Sequence, residues 1–255
     1  MQNHLAYLDL LEKQLLTACR ELTEKPQQVE CNTYFYSTQV NVNKNRRVCT
    51  ADNYAAFLPH RAELRRIADG YVDQELGCVL FYPSKSQFPA FVIGNYTAHP
   101  LAAHSPGNGG RRISADYPGV FCDYVSSETG AACMFVNGAC GNIFPQKDEL
   151  GTEGARQMGI ELGEGIFRGM LDVSRSQTRF QMKEPKVGAL CRTLRVPLRP
   201  SFRDNKSLLS DRDLGKQEID LEIQCLVIGD VCFVGVPGEW CAELGAEVKW
   251  HRDRK

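Results

Sequence analysis

The sequence predicts an α/β domain in which a mixed β-sheet core is flanked by helices, and three patterns support this prediction. Apolar residues recur at helical spacing in two long stretches, residues 5–22 and 152–172. Two short apolar runs, residues 91–93 and 134–136, each stop at a loop of glycine, proline and polar side chains. Open α/β proteins build their sites at the carboxyl ends of such strands, so these two junctions form the predicted functional region.

The other elements follow from local patterns. Strands are predicted, in chain order, within residues 29–48, 78–82, 90–93, 187–197, 219–228 and 231–236. The pair 78–82 and 90–93 is expected to form a β-hairpin, and Gly229-Asp230 is a strong two-residue turn signal for a second hairpin. Residues 54–68 carry a short helical pattern, and a further helix is expected after Glu239.

The glycines of the second long helix require an explanation. Each glycine inside a helix costs about 1 kcal/mol relative to alanine. The helix over residues 152–172 nevertheless contains several interior glycines, namely Gly159, Gly163, Gly165 and Gly169. We therefore expect close packing against a sheet to compensate for their weak helix propensity.

The bulk composition excludes several classes of function. The chain of 255 residues is long enough for one sizeable core, and residues 1–255 are expected to form a single domain. With 30 basic and 31 acidic residues, its net charge of −1 does not favour nucleic acid or an anionic membrane as partner. No apolar stretch approaches the roughly 20 residues of a transmembrane span. Because the first predicted helix has no preceding strand, the domain is expected to be incomplete at its N-terminus.

Cysteine usage indicates the redox compartment. The 11 cysteines are odd in number and scattered, and none form a C-x-x-C pair, which disfavours a zinc ribbon or a thioredoxin-like motif. The sequence also has no signal-peptide apolar region at its start. These features predict reduced, mostly buried thiols and a cytoplasmic location.

His99 is the first candidate functional residue. It follows the strand predicted at residues 90–93, in the segment Asn95-Tyr96-Thr97-Ala98-His99-Pro100, where a side chain can point into a cleft. Imidazole is a good zinc ligand when a neighbouring group fixes its tautomer, and Asn95, Thr97 or Asp116 could supply that hydrogen bond. From the residues alone, a hydrogen-bonded core histidine is the more common role for such a position.

Three other candidates each have a structural alternative. Glu239 lies in a strand-to-helix turn, where its carboxylate either faces a cleft or caps the helix N-terminus. Arg46 belongs to a polar stretch that is also typical of a solvated basic edge. Cys140 lies beside a glycine turn, either as a small buried thiol or as a nucleophile with His99 as its base.

Six stretches, in the same order and spanning nearly the whole chain, resemble the catalytic domain of the neutral, non-lysosomal ceramidases and their bacterial relatives. They are residues 41–47, 72–77, 95–100, 114–119, 135–145 and 234–239. This resemblance implies hydrolysis of the amide bond between a fatty acid and sphingosine, at a zinc ion bound by two histidines, a glutamate and a tyrosine. It also implies a small N-acyl or lipid-like substrate.

The resemblance assigns roles to individual residues. His99 matches the second histidine ligand of the family, and Glu239 matches its glutamate ligand. Asp116 falls on the family's aspartate in a Ser-x-Asp segment, and Arg46 matches an active-site arginine. Zinc would polarise the amide carbonyl and lower the pKa of bound water, while Arg46 would stabilise developing negative charge.

The sequence also departs from the family pattern. The family's first histidine ligand lies in a segment upstream of the opening helix, and its tyrosine ligand lies beyond the helix after Glu239. The chain is therefore expected to be incomplete at both ends and to hold half of the Zn²⁺ site. Asn142 replaces a family aspartate and remains a candidate catalytic residue, whereas Phe144 replaces the active-site serine.

Three functions remain open from the sequence. The first is a zinc-dependent hydrolase of an N-acyl amide bond, either active or inactive as the isolated chain. The second is a degenerate, non-catalytic member of the family that binds a ligand. The third is a cysteine hydrolase that uses Cys140.

Overall fold

The computed structural model describes residues 2–24, 29–49, 55–57, 70–104, 113–146, 151–183, 185–205, 209 and 213–251. The chain divides into two compact units, Met1–Cys31 and Asn32–Lys255. The first unit contains helix α1 (Gln2–Glu24), which confirms the predicted opening helix. Among the described residues, no helix combines the length and the apolar character that crossing a membrane requires.

The second unit contains most of the strands and the remaining helices. Its strands are β1 (Cys31–Gln39), β2 (Asn43–Asn45), β3 (Arg47–Cys49), β4 (Ala55–Phe57), β5 (Glu75–Pro83), β6 (Phe91–Tyr96), β7 (Ala132–Asn137), β8 (Ile143–Pro145), β9 (Val187–Pro197), β10 (Glu218–Ile228) and β11 (Val231–Gly235). Its helices are α2 (Asp116–Thr129), α3 (Thr152–Arg175), α4 (Gln177–Phe180), a 3₁₀ turn at Pro200–Phe202, and α5 (Ala242–His251).

The main sheet has the strand order β1-β5-β6-β7 and is mixed. Strands β5 and β6 form the predicted antiparallel hairpin, whereas β6 and β7 are parallel, with Tyr96 opposite Asn137. Both predicted strand-to-loop junctions therefore lie at the same edge of this sheet, where the carboxyl ends of two neighbouring strands meet. This arrangement confirms the predicted α/β class.

Helix α2 connects β6 to β7 and was not predicted from the sequence. Its first turn contains Pro118 and Gly119, which are typical of a loop. Proline is nevertheless tolerated in the first turn of a helix, because the N–H groups there have no partner within the helix. The turn signals therefore concealed a helix that packs Phe121 and Val125 into the core.

Helix α3 packs on both of its faces through its glycines. A side chain at Gly165 or Gly169 would collide with Leu76 of β5 or Tyr36 of β1, so these two glycines lie against the sheet as expected. The other two glycines lie against α2 instead, with Gly159 at Val120 and Gly163 at Tyr124. The expected packing against a sheet thus accounts for half of the glycines, and close packing between two helices accounts for the rest.

The opposite face of the main sheet is covered by a second sheet of order β11-β10-β9, in which both pairings are antiparallel. The predicted hairpin at Gly229-Asp230 and the predicted edge strand β9 are both confirmed. A small apolar cluster lies between the sheets and includes Val79 and Ile93 from the main sheet and Ile228 from β10. The core of the second unit therefore has helices, the main sheet and the second sheet in three layers.

Two short antiparallel pairs complete the architecture. Strand β2 pairs with β8, with Asn45 opposite Ile143, and β3 pairs with β4. The helical pattern predicted for residues 54–68 is wrong for Ala55–Phe57, which form β4, because a pattern of this length does not exclude a strand. The rest of that predicted helix lies outside the described residues.

Candidate active site

The loops that follow β6 and β7 are in direct contact at the edge of the main sheet. The Gly138 N–H donates a hydrogen bond to the Tyr96 carbonyl over 2.9 Å. A side chain at Gly138 would occupy the position of the Thr97 hydroxyl, so glycine is required for the two loops to approach. This contact brings the segment that contains His99 beside the segment that contains Cys140.

The His99 imidazole is held in one orientation by the backbone. Its Nδ1 lies 2.5 Å from the Cys140 carbonyl oxygen and 3.3 Å from that of Ile143. Because a carbonyl only accepts, Nδ1 carries the proton and donates it. In the neutral ring the lone pair is therefore on Nε2, which lies 3.4 Å from Glu239 Oε2.

The turn that contains Glu239 depends on two glycines. Gly238 has a φ of 90°, a left-handed conformation that side chains other than glycine rarely adopt. Gly141 donates its N–H to the Trp240 carbonyl over 2.7 Å, and a Cβ at this position would lie 2.5 Å from the Glu239 carbonyl oxygen. The loop after β7 and the turn after β11 are thus fixed against each other. Glu239, in the turn after β11, therefore lies beside His99 of the loop after β6.

Burial and charge differ between these two side chains. The His99 side chain is 15% exposed, whereas that of Glu239 is 76% exposed. A hydrogen bond with the Cys140 side chain raises the pKa of His99 to about 9, with burial opposing and the Glu239 carboxylate contributing less. The raised pKa favours the protonated imidazole, which in that form makes an ion pair with the Glu239 carboxylate.

Phe144 lies beside both His99 and Arg46. The His99 and Phe144 rings are stacked, with centroids 4.8 Å apart and an angle of 15° between their planes. The Arg46 guanidinium carbon lies 3.7 Å from the Phe144 ring centroid, a cation–π contact. The Phe144 ring therefore serves as a platform that orders the imidazole and the guanidinium.

Arg46 is partly buried, and its position is inconsistent with a freely solvated basic edge. The backbone N–H of Arg46 donates to the backbone carbonyl of Asn142 over 3.0 Å. Burial lowers the pKa of Arg46, while the charge of Glu239 partly offsets this effect. The guanidinium remains charged and is close enough to Glu239 to contribute positive potential to the site.

Asn142 connects the site to helix α5. It is fully buried, and its amide nitrogen donates to both carboxylate oxygens of Glu243, at 3.1 and 2.8 Å. Its Oδ1 accepts the Ala242 N–H over 2.8 Å, which satisfies a donor at the helix N-terminus. Asn45 also donates to Glu243, over 3.3 Å. The contacts of the Asn142 side chain are those of a residue that positions α5.

Asp116 holds the segment that follows His99. Its carboxylate accepts backbone N–H bonds from Ala102 at 3.1 Å, Ala103 at 2.7 Å and Tyr117 at 2.7 Å. Its φ of 52° is left-handed, a conformation that aspartate tolerates better than most residues. Asp116 thus fixes the loop that carries His99 to the start of α2.

A groove of about 1030 Å³ opens beside these residues. His99, Cys140 and Glu239 line one part of it, and the second sheet and α5 line the remainder. Most of the lining is apolar and includes Val136, Leu190, Leu226, Phe233, Val234 and Val248. This site therefore combines a polar cluster with an apolar channel, the arrangement that is typical of ligand sites.

Sequence reasoning missed Glu243 and Lys249. Glu243 lies in the first turn of α5, where an acidic residue is so common that it attracts no attention. Lys249 donates to Asp73 over 2.8 Å and to Glu75 over 2.7 Å, which ties α5 to the first residue of β5 and to the segment that precedes this strand. A single sequence contains no signal for these contacts, since the partners are more than 100 positions apart.

The donors present suit zinc in type and spacing. Two ligands of a tetrahedral zinc ion lie about 3.3 Å apart when each bond is about 2.0–2.1 Å, close to the 3.4 Å between His99 Nε2 and Glu239 Oε2. The hydrogen bond from Nδ1 to a backbone carbonyl is the usual support of a zinc-binding histidine. Within the described part of the chain, no group of three or more His, Cys, Asp or Glu side chains is arranged to hold a metal ion.

Comparison with known proteins identifies the fold. The sequence matches no protein-family model. It also matches no curated protein. The structure is similar to that of neutral ceramidase from Pseudomonas aeruginosa, with a TM-score of 0.57 and 14% identity, over 86% of this chain and 42% of the ceramidase chain.

A second solved structure, a ceramidase complexed with C2, gives the same TM-score and identity, with 86% of this chain and 43% of the other covered. The chain thus spans less than half the length of the ceramidases that it resembles. The similarity confirms the resemblance predicted from the sequence, and at this identity it establishes the fold alone: over 86% of its length the chain has a neutral ceramidase-like fold.

Proposed function

We propose that the chain supplies part of the catalytic centre of a zinc-dependent hydrolase that cleaves an N-acyl amide bond. The observation that carries this proposal is the spacing of His99 Nε2 and Glu239 Oε2, 3.4 Å apart at the wall of an apolar groove. The tautomer imposed on His99 by the Cys140 carbonyl supports it. In this proposal, residues 1–255 form part of a single ceramidase-like catalytic domain.

Each residue of the site has a distinct task in this proposal. His99 and Glu239 would hold the zinc ion, which supplies Lewis acidity to the scissile carbonyl and acidifies a bound water. His99 must lose its Nε2 proton before it can bind a metal. Arg46, held against Phe144, directs positive charge at the oxygen that becomes negative during attack.

Asn142 and Asp116 are positioning residues in this proposal. Asn142 holds α5 and the Glu239 turn through Glu243, and Asp116 holds the loop that carries His99. The apolar part of the groove takes an acyl chain, because transfer of each methylene from water is favourable by about 0.8 kcal/mol. A ceramide-like or other N-acyl lipid is the substrate class that this groove suits.

Zinc titration of the purified chain tests the metal site directly. We expect zinc to compete with a chromophoric chelator for wild-type protein, with modest affinity because the site contains two protein ligands. His99→Ala and Glu239→Gln should each weaken zinc binding by at least about 10-fold. His104→Ala, an exposed histidine five positions along the chain, is the matched control and should bind as wild type does.

Activity is measured in parallel on a panel of N-acyl amides of increasing chain length. Turnover should disappear on removal of zinc and return when zinc is added back. Equal zinc affinity in wild type and His99→Ala would contradict the proposed metal site. Zinc-dependent binding without turnover of any substrate would favour a non-catalytic, ligand-binding member instead.

One set of contacts favours a cysteine hydrolase as the second candidate. The Cys140 side chain interacts with His99, and Glu239 faces Nε2 of the same imidazole. A thiol, an imidazole and a carboxylate are the groups that a cysteine hydrolase uses, and Nε2 would have to act as the base, because Nδ1 donates to backbone carbonyls. Asn137 also donates to the Cys140 sulfur over 3.2 Å.

Two treatments separate the two candidates. A cysteine hydrolase should lose activity in Cys140→Ser and after alkylation with iodoacetamide, and it should retain activity with a metal chelator. The zinc enzyme should show the reverse pattern. Cys191→Ser, which also alters a thiol that lines the groove, serves as the control for nonspecific effects of alkylation.

A further inference from the structure

Strand β9 has one open edge, which has no role in the proposed hydrolase. It is the outer strand of the second sheet, and among the residues that the structure describes no strand pairs with its other side. The strand is 11 residues long, and all of its residues except Val196 are exposed. A long exposed edge is usually avoided in proteins, because its unpaired N–H and C=O groups readily pair with another strand.

The hydrogen bonds at both ends of β9 show which of its backbone groups point to the open edge. The Lys186 carbonyl accepts the Gly229 N–H over 2.9 Å. The Leu198 N–H donates to the Gln217 carbonyl over 2.7 Å. Both bonds continue the unbroken register of β9 with β10, so the even-numbered residues turn their backbone groups toward β10. The groups of the odd-numbered residues therefore point outward, and their N–H donors belong to Val187, Ala189, Cys191, Thr193 and Arg195.

Pro197 ends this row of outward donors. It occupies an odd-numbered position at the end of β9 and has no N–H to donate. Proline is tolerated at such a position because it removes no hydrogen bond to the neighbouring strand. The edge that can pair with another strand therefore runs from Val187 to Arg195.

The charge of β9 favours an acidic partner strand. Residues 187–197 contain Arg192 and Arg195 and no acidic residue. Arg195 forms an ion pair with Asp220 of β10 at 2.9 Å. Arg192 lies on the other face of the sheet, opposite Ile223. The acidic residues of β10 all pair with odd-numbered residues of β9, so they lie on the face opposite to that of Arg192.

The neighbours of Arg192 on its own face are apolar. Leu190 and Leu194 flank it two positions away along the strand, with exposed fractions of 57% and 50%. On β10 the same face carries Leu221 and Ile223. A strand added at the open edge would place one side chain beside Arg192 and one beside each leucine. The complementary pattern is therefore an acidic residue with an apolar residue two positions away on each side.

We propose that the open edge of β9 binds an extended acidic segment of a partner protein by β-strand addition. The segment continues the second sheet, with its backbone bonded to the outward groups of residues 187–195. Its acidic side chain pairs with Arg192, and its apolar side chains cover Leu190 and Leu194. A second copy of β9 does not fit this edge, because two strands that each carry only positive charges repel. Since residues 189–191 also line the groove, the bound segment lies beside it.

The test titrates the full chain with the blocked peptide Thr-Val-Thr-Glu-Thr-Val-Thr. This sequence reads the same in both directions and so presents the required pattern to a parallel or an antiparallel partner. We expect saturable binding below about 1 mM, followed by NMR. Hydrogen exchange of the outward amides of Ala189, Cys191 and Thr193 should slow at least about 10-fold at saturation. The inward amides of Leu190 and Leu194 should change little, because they are already bonded to β10.

Two substitutions separate the contribution of the backbone from that of the charge. Thr193→Pro removes an outward N–H and no bond to β10, so it should abolish peptide binding while the sheet stays folded. Arg192→Glu should weaken binding of this peptide at least about 5-fold and should prefer the peptide that has lysine in place of glutamate. Arg175→Glu, which reverses an exposed charge at the end of α3, is the control and should bind as wild type does.

The exchange measurement uses the wild-type protein and so does not depend on how any variant folds. No binding up to about 1 mM, or unchanged exchange of the outward amides at saturation, overturns the proposal. Equal affinity of Arg192→Glu for the two peptides also overturns it. Self-association of the chain without peptide that disappears in Thr193→Pro would identify a second copy as the occupant instead. None of these measurements involves zinc or turnover, so their outcome is independent of the proposed hydrolase.

Discussion

Asn142 and Asp116 show how single polar residues organise this site. Each is buried, and each makes its hydrogen bonds to other parts of the fold. Asn142 bonds to Glu243 and Ala242, and Asp116 bonds to the backbone that follows His99. Buried polar groups of this kind are costly when a partner is lost, because the remaining group cannot return to water. Substitutions at these positions should therefore act on stability as well as on the site.

Asn142→Asp should destabilise the protein at neutral pH. The new carboxylate would face Glu243, whose oxygens lie 2.8 and 3.1 Å from the present amide nitrogen. Two adjacent carboxylates raise the pKa of one of them in the folded state, so that stability is lost as the pH rises through that pKa. We expect a loss of about 2–4 kcal/mol near pH 8 that shrinks towards pH 5, measured by urea unfolding.

Asn137→Asp provides the control for this prediction. Asn137 is exposed, so the same substitution there should change the unfolding free energy by less than about 0.5 kcal/mol at either pH. If both variants were equally stable near pH 8, or if the loss in Asn142→Asp did not depend on pH, the contact between Asn142 and Glu243 would not have the assigned role.

Substitutions at Asp116 should separate backbone conformation from hydrogen bonding. Asp116→Asn keeps a residue that tolerates the left-handed φ and loses part of the acceptor capacity, so we expect a cost of about 1–2 kcal/mol. Asp116→Ala loses both and should cost about 2–4 kcal/mol. Urea unfolding measures both values, and Asp123→Ala, at an exposed position of the same helix, should be nearly neutral. Equal costs for the two Asp116 variants would contradict this account.

At the scale of elements, the glycines of helix α3 determine how closely it packs against its neighbours, and this packing stabilises the helix more than its intrinsic helix propensity does. Gly159 and Gly163 allow α2 to approach, and Gly165 and Gly169 allow the sheet to approach. The helix buries residues such as Met158, Leu162 and Ile166 between these contacts. Its stability therefore comes from tertiary packing, as is usual for helices in proteins.

Gly159→Ala should destabilise the protein even though alanine is the better helix former. A Cβ at this position would lie 2.6 Å from the Val120 Cβ and 2.8 Å from the Phe121 backbone nitrogen. The propensity gain is about 1 kcal/mol, whereas overpacking costs about 1–3 kcal/mol and here involves backbone, so the net loss should be about 1–2 kcal/mol. Denaturant unfolding measures the change.

Gly188→Ala is the control for overpacking. No atom lies within 4 Å of a Cβ built at Gly188, an exposed position of β9, so the substitution should have little effect. A Gly159→Ala variant more stable than wild type would show that α2 can move away from α3 at little cost.

At the scale of the whole molecule, the candidate site exists because distant parts of the second unit meet. The edge of the main sheet contributes His99, the turn after β11 contributes Glu239, and strand β9 completes the apolar wall of the groove. The groove thus extends from the polar cluster along the second sheet. On the proposed function, this geometry separates the reacting group of a substrate from its acyl chain.

Ala189→Trp should reduce the binding of long-chain N-acyl amides. Ala189 lines the groove from β9, and the larger side chain would occupy part of its volume. We expect Kd for a long-chain ligand to rise about 10-fold, equivalent to about 1.4 kcal/mol, and Kd for a short-chain ligand to change little. Thr193→Trp, on the same face of β9 but outside the groove lining, is the control. Equal effects on long and short ligands would exclude the acyl channel.

Much of the local structure could be predicted because its signals are local. The hairpin at Gly229-Asp230, the two strand-to-loop junctions and helix α3 were found from turn chemistry and periodicity. Helix α2 was missed because Pro118 and Gly119 carry the same signal in a loop and in a first helical turn. For the site, the structure brings His99 and Glu239 within 3.4 Å, while their role as metal ligands remains a proposal.

The sequence by itself was enough to predict the α/β class and the edge of the sheet where chemistry is expected, and its resemblance to the ceramidases singled out His99 and Glu239, which the structure places 3.4 Å apart. Only the tertiary structure decided that Asn142 pairs with Glu243, that Phe144 orders His99 and Arg46, and that the second sheet supplies the groove. The physical reason is the distance along the sequence over which each kind of interaction acts. Periodicity, capping and turn preferences act over a few residues, whereas these contacts join positions tens to more than a hundred residues apart, whose proximity depends on how the layers pack.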